Sequence, residues 1–136
     1  MRYFDVATAQ QLVPTLAETF GQVRRSAERL RLLNQPLELH SMGGPVAADQ
    51  LEKMRTERDQ LVAEIRQQIE RLEEIGIEVK SLDGLADFRA LRAGRPVYLC
   101  WQYPERSIGY WHELDGGFAG RRPIDDASDF VPTYLS

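Results

Sequence analysis

The sequence predicts an α+β protein: a long antiparallel helical hairpin followed by a small antiparallel β-meander, with the helices forming a dimeric bundle. Three observations carry this reading. Apolar residues recur at helical spacing through most of the first 75 positions, the period changes to two after Gly76, and glycine and proline mark turns in the remainder. The 136 residues read as one domain, with a helical hairpin over 1–76, a meander and Gly-rich turn over 77–124, and a tail over 125–136.

In the first helix Ala9, Val13, Leu16, Phe20, Val23, Ala27 and Leu30 alternate spacings of four and three, and Leu12 and Leu33 widen this coiled-coil-like seam. Asp5 stands where a carboxylate accepts hydrogen bonds from the first free amides of a helix. Pro14 lacks an amide hydrogen and obstructs the turn before it, which predicts a kink or a short helix followed by a long one. The connection Asn34–Val46, NQPLELHSMGGPV, reads as a long loop, either ordered or mobile, punctuated by Gly43, Gly44 and Pro45.

The second helix is expected over Ala48–Ile75, with a seam of Leu51, Met54, Leu61, Ile65, Leu72 and Ile75 that Arg58 interrupts. Gly76 is placed to cap it, because glycine enters the left-handed region without steric cost. Helices of about 25 residues at 1.5 Å each make a hairpin about 38 Å long. Two helices bury only one stripe apiece, so a second copy would complete a four-helix bundle, and a homodimer is expected.

Short strands are expected near Ile77–Lys80, Leu85–Phe88, Pro96–Gln102 and Ser107–His112. Alternation puts Val97, Leu99 and Trp101 on one face and Tyr98, Cys100 and Gln102 on the other. In the fourth strand Ile108, Tyr110 and His112 should share a face opposite Gly109, Trp111 and Glu113, after a turn at Tyr103–Arg106. The acidic tail, broken by Pro132, reads as loop or as a loosely docked arm.

Composition bounds the function. The chain is 43% hydrophobic and 28% charged with a net charge of −4, which disfavours disorder and a dedicated nucleic-acid binder. A single cysteine excludes an intramolecular disulfide and fits a reducing compartment. MRYFDVATAQQL has no signal-peptide core, and no apolar run approaches the roughly 20 residues a membrane span needs, so no membrane association and a cytoplasmic location are expected.

The opening RYFDVATAQQLVPTL, the phrase IGIEVKSLDGLADFRALRAGRPVYLCW and the closing YWHELDGGFAGRRPI resemble an uncharacterised prokaryotic family, domain of unknown function 2203. The resemblance spans nearly the whole chain. It implies a small cytosolic α+β protein and supplies no activity.

Polar chemistry concentrates in WHELDGGFAGRR. Imidazole and carboxylates at His112, Glu113 and Asp115 could bind a divalent metal or serve as base and orienting acid. Neighbours on a strand point to opposite faces, however, and Gly116 stands where a zinc-protease helix needs its second histidine. A histidine hydrogen-bonded at the rim of the sheet is the simpler reading. The glycines of GGFAGRR allow close backbone approach to a small anion, with Arg121 and Arg122 adding charge. Neither GxGxxG nor a glycine loop ending in Lys-Ser or Lys-Thr is present, so a structural turn whose arginine pairs with a local carboxylate competes.

Cys100, mid-strand, reads as a buried small hydrophobe rather than a thiolate, although a pair with His112 depends on strand register. His40, in the helix connection, is expected a hairpin's length from His112. Trp101, Tyr103, Tyr110 and Trp111 beside Arg95 and Arg106 could stack single-stranded nucleic acid, but such residues more often fill a core. The basic stretch Arg24, Arg25, Arg29 and Arg31 reads as a solvated face or partner contact. The expectation is therefore a homodimeric, non-catalytic protein. Its ligand or partner site would lie around Trp111, His112, Glu113, Arg121 and Arg122, for a small anionic ligand or a protein. The alternative is a metal-assisted enzyme using His112 with Glu113 or Asp115.

Overall fold

A computed structural model describes residues 2–44 and 47–131. Asp5 accepts the Thr8 amide at 2.7 Å and starts α1 (Val6–Gln11). Pro14 lies in the first turn of α2 (Val13–Ser41), where a missing amide hydrogen costs no helical bond, so the outcome is a short helix followed by a long one. Helix α3 (Ala48–Ile75) ends at Gly76, whose φ of 105° is left-handed.

The connection between the long helices is much shorter than the expected loop from Asn34 to Val46. Helix α2 runs through Pro36 to Ser41. Proline forfeits one helical hydrogen bond, but the seam continues past it: Leu33 is buried, Leu37 is half-buried, and Leu51 of α3 is buried in the same half of the hairpin. Pro45 and Val46 lie outside the described residues. Gln68 Nε2 donates to Gln22 Oε1 and Arg29 grips Glu57, which fixes the two helices antiparallel.

Five antiparallel strands follow in sequential order: β1 (Ile77–Ser81), β2 (Leu85–Arg92), β3 (Arg95–Gln102), β4 (Tyr110–His112) and β5 (Arg122–Pro123). Strand β2 is twice the expected length because Ala93 and Gly94, at φ 52° and 77°, close a tight hairpin that pairs Arg92 with Arg95. Strand β4 is shorter than expected. Ser107–Gly109 leave the sheet, the Ile108 amide donates to Gln10 Oε1, and the Ile108 side chain enters the helix-side core. Ile108 therefore does not share a face with Tyr110 and His112.

The faces of β3 alternate as expected. Val97, Leu99 and Trp101 turn toward the helices with Ala86, Phe88 and Ala90, their cross-strand partners. Trp101 packs on Phe20 at 5.7 Å and Phe4 meets Phe88 edge-on at 5.0 Å. The tail contributes too: Asp126 caps a 3-10 turn at Ala127–Phe130, and Phe130 is buried against Trp111. Pro132 lies outside the described residues. Among the described residues no helix is long and apolar enough to cross a membrane.

Candidate functional site

Strand β4 carries Trp111 and His112, and the chain then arches through Glu113–Gly117 and a 3-10 turn at Phe118–Gly120 before returning as β5. Trp111 pairs with Arg122 across the strands, so both lie on the helix-side face. The Arg122 guanidinium is 5.3 Å from the Trp111 ring centroid and that of Arg92 is 4.5 Å from it, while Phe130 packs edge-on. His112 and Arg121 turn to the outer face. The five residues singled out in the sequence thus divide between two sides of the sheet, with Glu113 bound to Arg95 at 2.8 Å.

Arg121 is held from several directions. It donates to Glu105 at 2.6 Å and to the Cys100 carbonyl at 3.3 Å, and its guanidinium lies over Tyr110 at 4.0 Å and Phe118 at 4.9 Å. Glu105 in turn accepts the Gln102 amide, and its backbone carbonyl accepts the Trp101 indole hydrogen. Arginine pairing with a local carboxylate is the arrangement found here, and it fastens the Gly-rich arch to the β3–β4 turn.

His112 is buried, as are Asp87 and Cys100. Its Nδ1 lies 2.6 Å from the Glu113 carbonyl oxygen and its Nε2 lies 3.1 Å from Asp87 Oδ1. Register explains the convergence: Asp87 pairs with Cys100, Cys100 with Tyr110, and Tyr98 with His112. Ligand atoms of Asp87, Cys100 and His112 all lie within 4.8 Å of one another. Glu113 and Asp115 are not in that group; Glu113 is turned to Arg95 and Asp115 is exposed. Burial foremost, with the Asp87 charge beside it, pushes the Cys100 thiol up to about 12. At neutral pH the group is a protonated thiol and no nucleophile.

Beside this trio, Tyr98 donates to Glu78 at 2.8 Å and Arg89 donates to the Tyr98 oxygen at 2.7 Å. Burial pushes the Glu78 carboxyl up, but hydrogen bonds from Tyr98 and Lys80 and the charges of Lys80 and Arg89 outweigh it and hold it below the usual range. Burial and the Glu78 charge raise the Tyr98 phenol. The outer face is thus a paired polar network. Trp101 and Trp111 are buried, so their rings cannot stack a nucleic-acid base. Arg24 donates to the Asp83 carbonyl, tying α2 to the β1–β2 turn, and His40 lies in the last turn of α2 at the hairpin tip.

Sequence reasoning passed over Asp87, Glu105, Arg92 and Glu78. The signal for Asp87 was a charge at the centre of LADFRA, where alternation otherwise places strand-forming residues; its partners depend on a register that spacing does not specify. Fold and site together define a small α+β protein in which a helical hairpin precedes a five-stranded antiparallel sheet with a polar outer face. The model of the uncharacterised conserved protein family known as domain of unknown function 2203 matches residues 2–124, and the chain belongs to that family. Comparison with curated proteins and with solved structures found no match.

Proposed function

We propose a homodimeric, non-catalytic binding protein that acts in the cytoplasm, the setting that suits its single reduced thiol. The observation that carries this reading is an uncovered apolar groove of about 480 Å³ on the hairpin, lined by Leu30, Val62, Ile65, Ile69 and Leu82. The sheet covers α2 near Leu16 and Phe20 and leaves this flank open. The occupant is a second copy of the chain. Arg66, Glu70 and Glu73 line the same groove, and a two-fold axis lets each copy answer those charges with its own. The groove follows α3 from Val62 to Glu73, about 17 Å at 1.5 Å per residue, and would form the centre of a contact that neighbouring residues of the hairpin extend toward the roughly 800 Å² per partner of a stable interface. The pairing would form a four-helix bundle.

Light scattering and sedimentation at micromolar concentration should give the mass of two chains. Val62→Asp combined with Leu82→Asp, both at exposed positions, should give one chain with an unchanged circular dichroism spectrum. A wild-type monomer overturns the proposal.

A second contact has its own support, the two guanidinium groups of Arg92 and Arg122 on the Trp111 ring. The positive charge that these two groups bring to one indole favours a small anion or an acidic protein segment nearby. Phosphate or a carboxylate added to the protein should shift Trp111 fluorescence, and Arg122→Ala should abolish the shift.

A further inference from the structure

The outer face of the sheet holds one arrangement that the dimer reading does not use. Nδ1 of His112 lies 2.6 Å from the backbone carbonyl oxygen of Glu113, an atom that only accepts, so Nδ1 carries a hydrogen. A neutral ring then turns the Nε2 lone pair toward Asp87 Oδ1, 3.1 Å away, where two acceptors face each other. A proton, on the ring or on the carboxyl, or a cation belongs between them. A proton needs only those two residues. The structure adds a third ligand atom, Cys100 Sγ, within 4.8 Å of both, and all three residues are buried.

We propose that Asp87, Cys100 and His112 form a binding site for one Zn²⁺ ion, held by a carboxylate oxygen, a thiolate sulfur and Nε2. A ring whose second nitrogen is tied to a backbone carbonyl is how proteins orient a metal-binding histidine. The sulfur, nitrogen and oxygen set suits zinc and not calcium or magnesium, which take oxygen ligands. Tetrahedral bonds of about 2.0–2.3 Å set donors about 3.3–3.8 Å apart, so a separation of 4.8 Å would close by about 1–1.5 Å while the 3.1 Å Nε2–Oδ1 pair opens slightly. Binding releases the thiol proton to solvent, and the carboxylate and thiolate together balance the charge of the ion. The nearby Arg121 guanidinium does not oppose it unpaired, because Glu105 neutralises it at 2.6 Å. Three protein ligands leave the fourth tetrahedral position to an exogenous group.

The test uses the full chain, stripped with chelator and titrated with Zn²⁺ and, separately, with Co²⁺. The expected result is one equivalent per chain, a thiolate-to-cobalt absorption band in the near ultraviolet, and a shift of the His112 Nε2 nitrogen resonance on adding Zn²⁺. Cys100→Ala should remove the band, and Asp87→Asn should weaken Zn²⁺ binding by more than the roughly 10- to 100-fold cost of losing a ligand's supporting hydrogen bond. Wild-type protein that takes up no stoichiometric Zn²⁺ overturns the proposal in favour of a proton shared between His112 and Asp87. Co²⁺ uptake that Cys100→Ala leaves unchanged also overturns it. Uptake is counted per chain, so the result stands apart from that of the mass measurement.

Discussion

Both faces of the sheet bury side chains at their centres, yet they are built from opposite chemistry. On the helix side, Trp101, Leu99, Val97 and Phe88 meet Phe20, Leu16 and Phe4, and stability follows from apolar area and close packing. On the outer side, Asp87, Cys100, Tyr98 and His112 are just as buried, but each polar group depends on a named partner. The first face tolerates any neighbour of the right shape. The second needs the right atom at the right distance, which is why the candidate binding chemistry resides there.

The contrast can be broken most forcefully at Trp101. Trp101→Ala should cost about 3–5 kcal/mol in urea unfolding, through lost transfer energy and the cavity beside Phe20. A loss below 1 kcal/mol would mean the helix-side core is not the main source of stability. The outer face predicts a kinetic effect at Cys100. With the thiol at about 12 rather than 9.0 the thiolate fraction falls faster than the thiolate's nucleophilicity rises, so alkylation of the folded, chelator-stripped chain at neutral pH should be slower than of the unfolded chain by at least about 30-fold. Equal rates would show the trio to be open to solvent.

Arg121→Met is the next step down. It keeps the stem but strips Glu105 and the Cys100 carbonyl of their charged donor, with an expected cost of about 1.5–3 kcal/mol by thermal unfolding. A neutral result would reduce the Gly-rich arch to packing alone. Asp5→Ala should cost about 1 kcal/mol by removing the cap on α1. Hydrogen bonds from Thr8, side chain first and then amide, hold the Asp5 carboxyl below its ordinary 3.8. Since the folded value is the lower one, its contribution is whole above about pH 4 and fades as the pH falls through the native value. The difference between wild type and Asp5→Ala should shrink in that window, and persistence to lower pH would assign the effect to helix propensity. Smallest of all, Arg29→Ala breaks an exposed pair with Glu57 and should leave the melting temperature unchanged.

Much of this molecule was legible from local rules. The Asp5 cap, the break at Pro14, the stop at Gly76 and the alternation along Val97–Gln102 each depend on neighbours a few residues away. Pro36 shows where such rules fail. Proline and a run of turn-forming residues argued for a loop, but Leu33, Leu37 and Leu51 bury enough apolar surface to carry α2 on to Ser41. The short strand β5 carried no periodic signal, because two residues have no period.

What the sequence alone determined, then, was the order of helices and strands and which side chains of each strand face together, since both follow from spacing along the chain. Tertiary structure decided which strands lie opposite which residues. Register brings Asp87 to His112 across 25 positions. A hydrogen-bonded ladder shifted by one residue would exchange every partner, and no local preference records that choice.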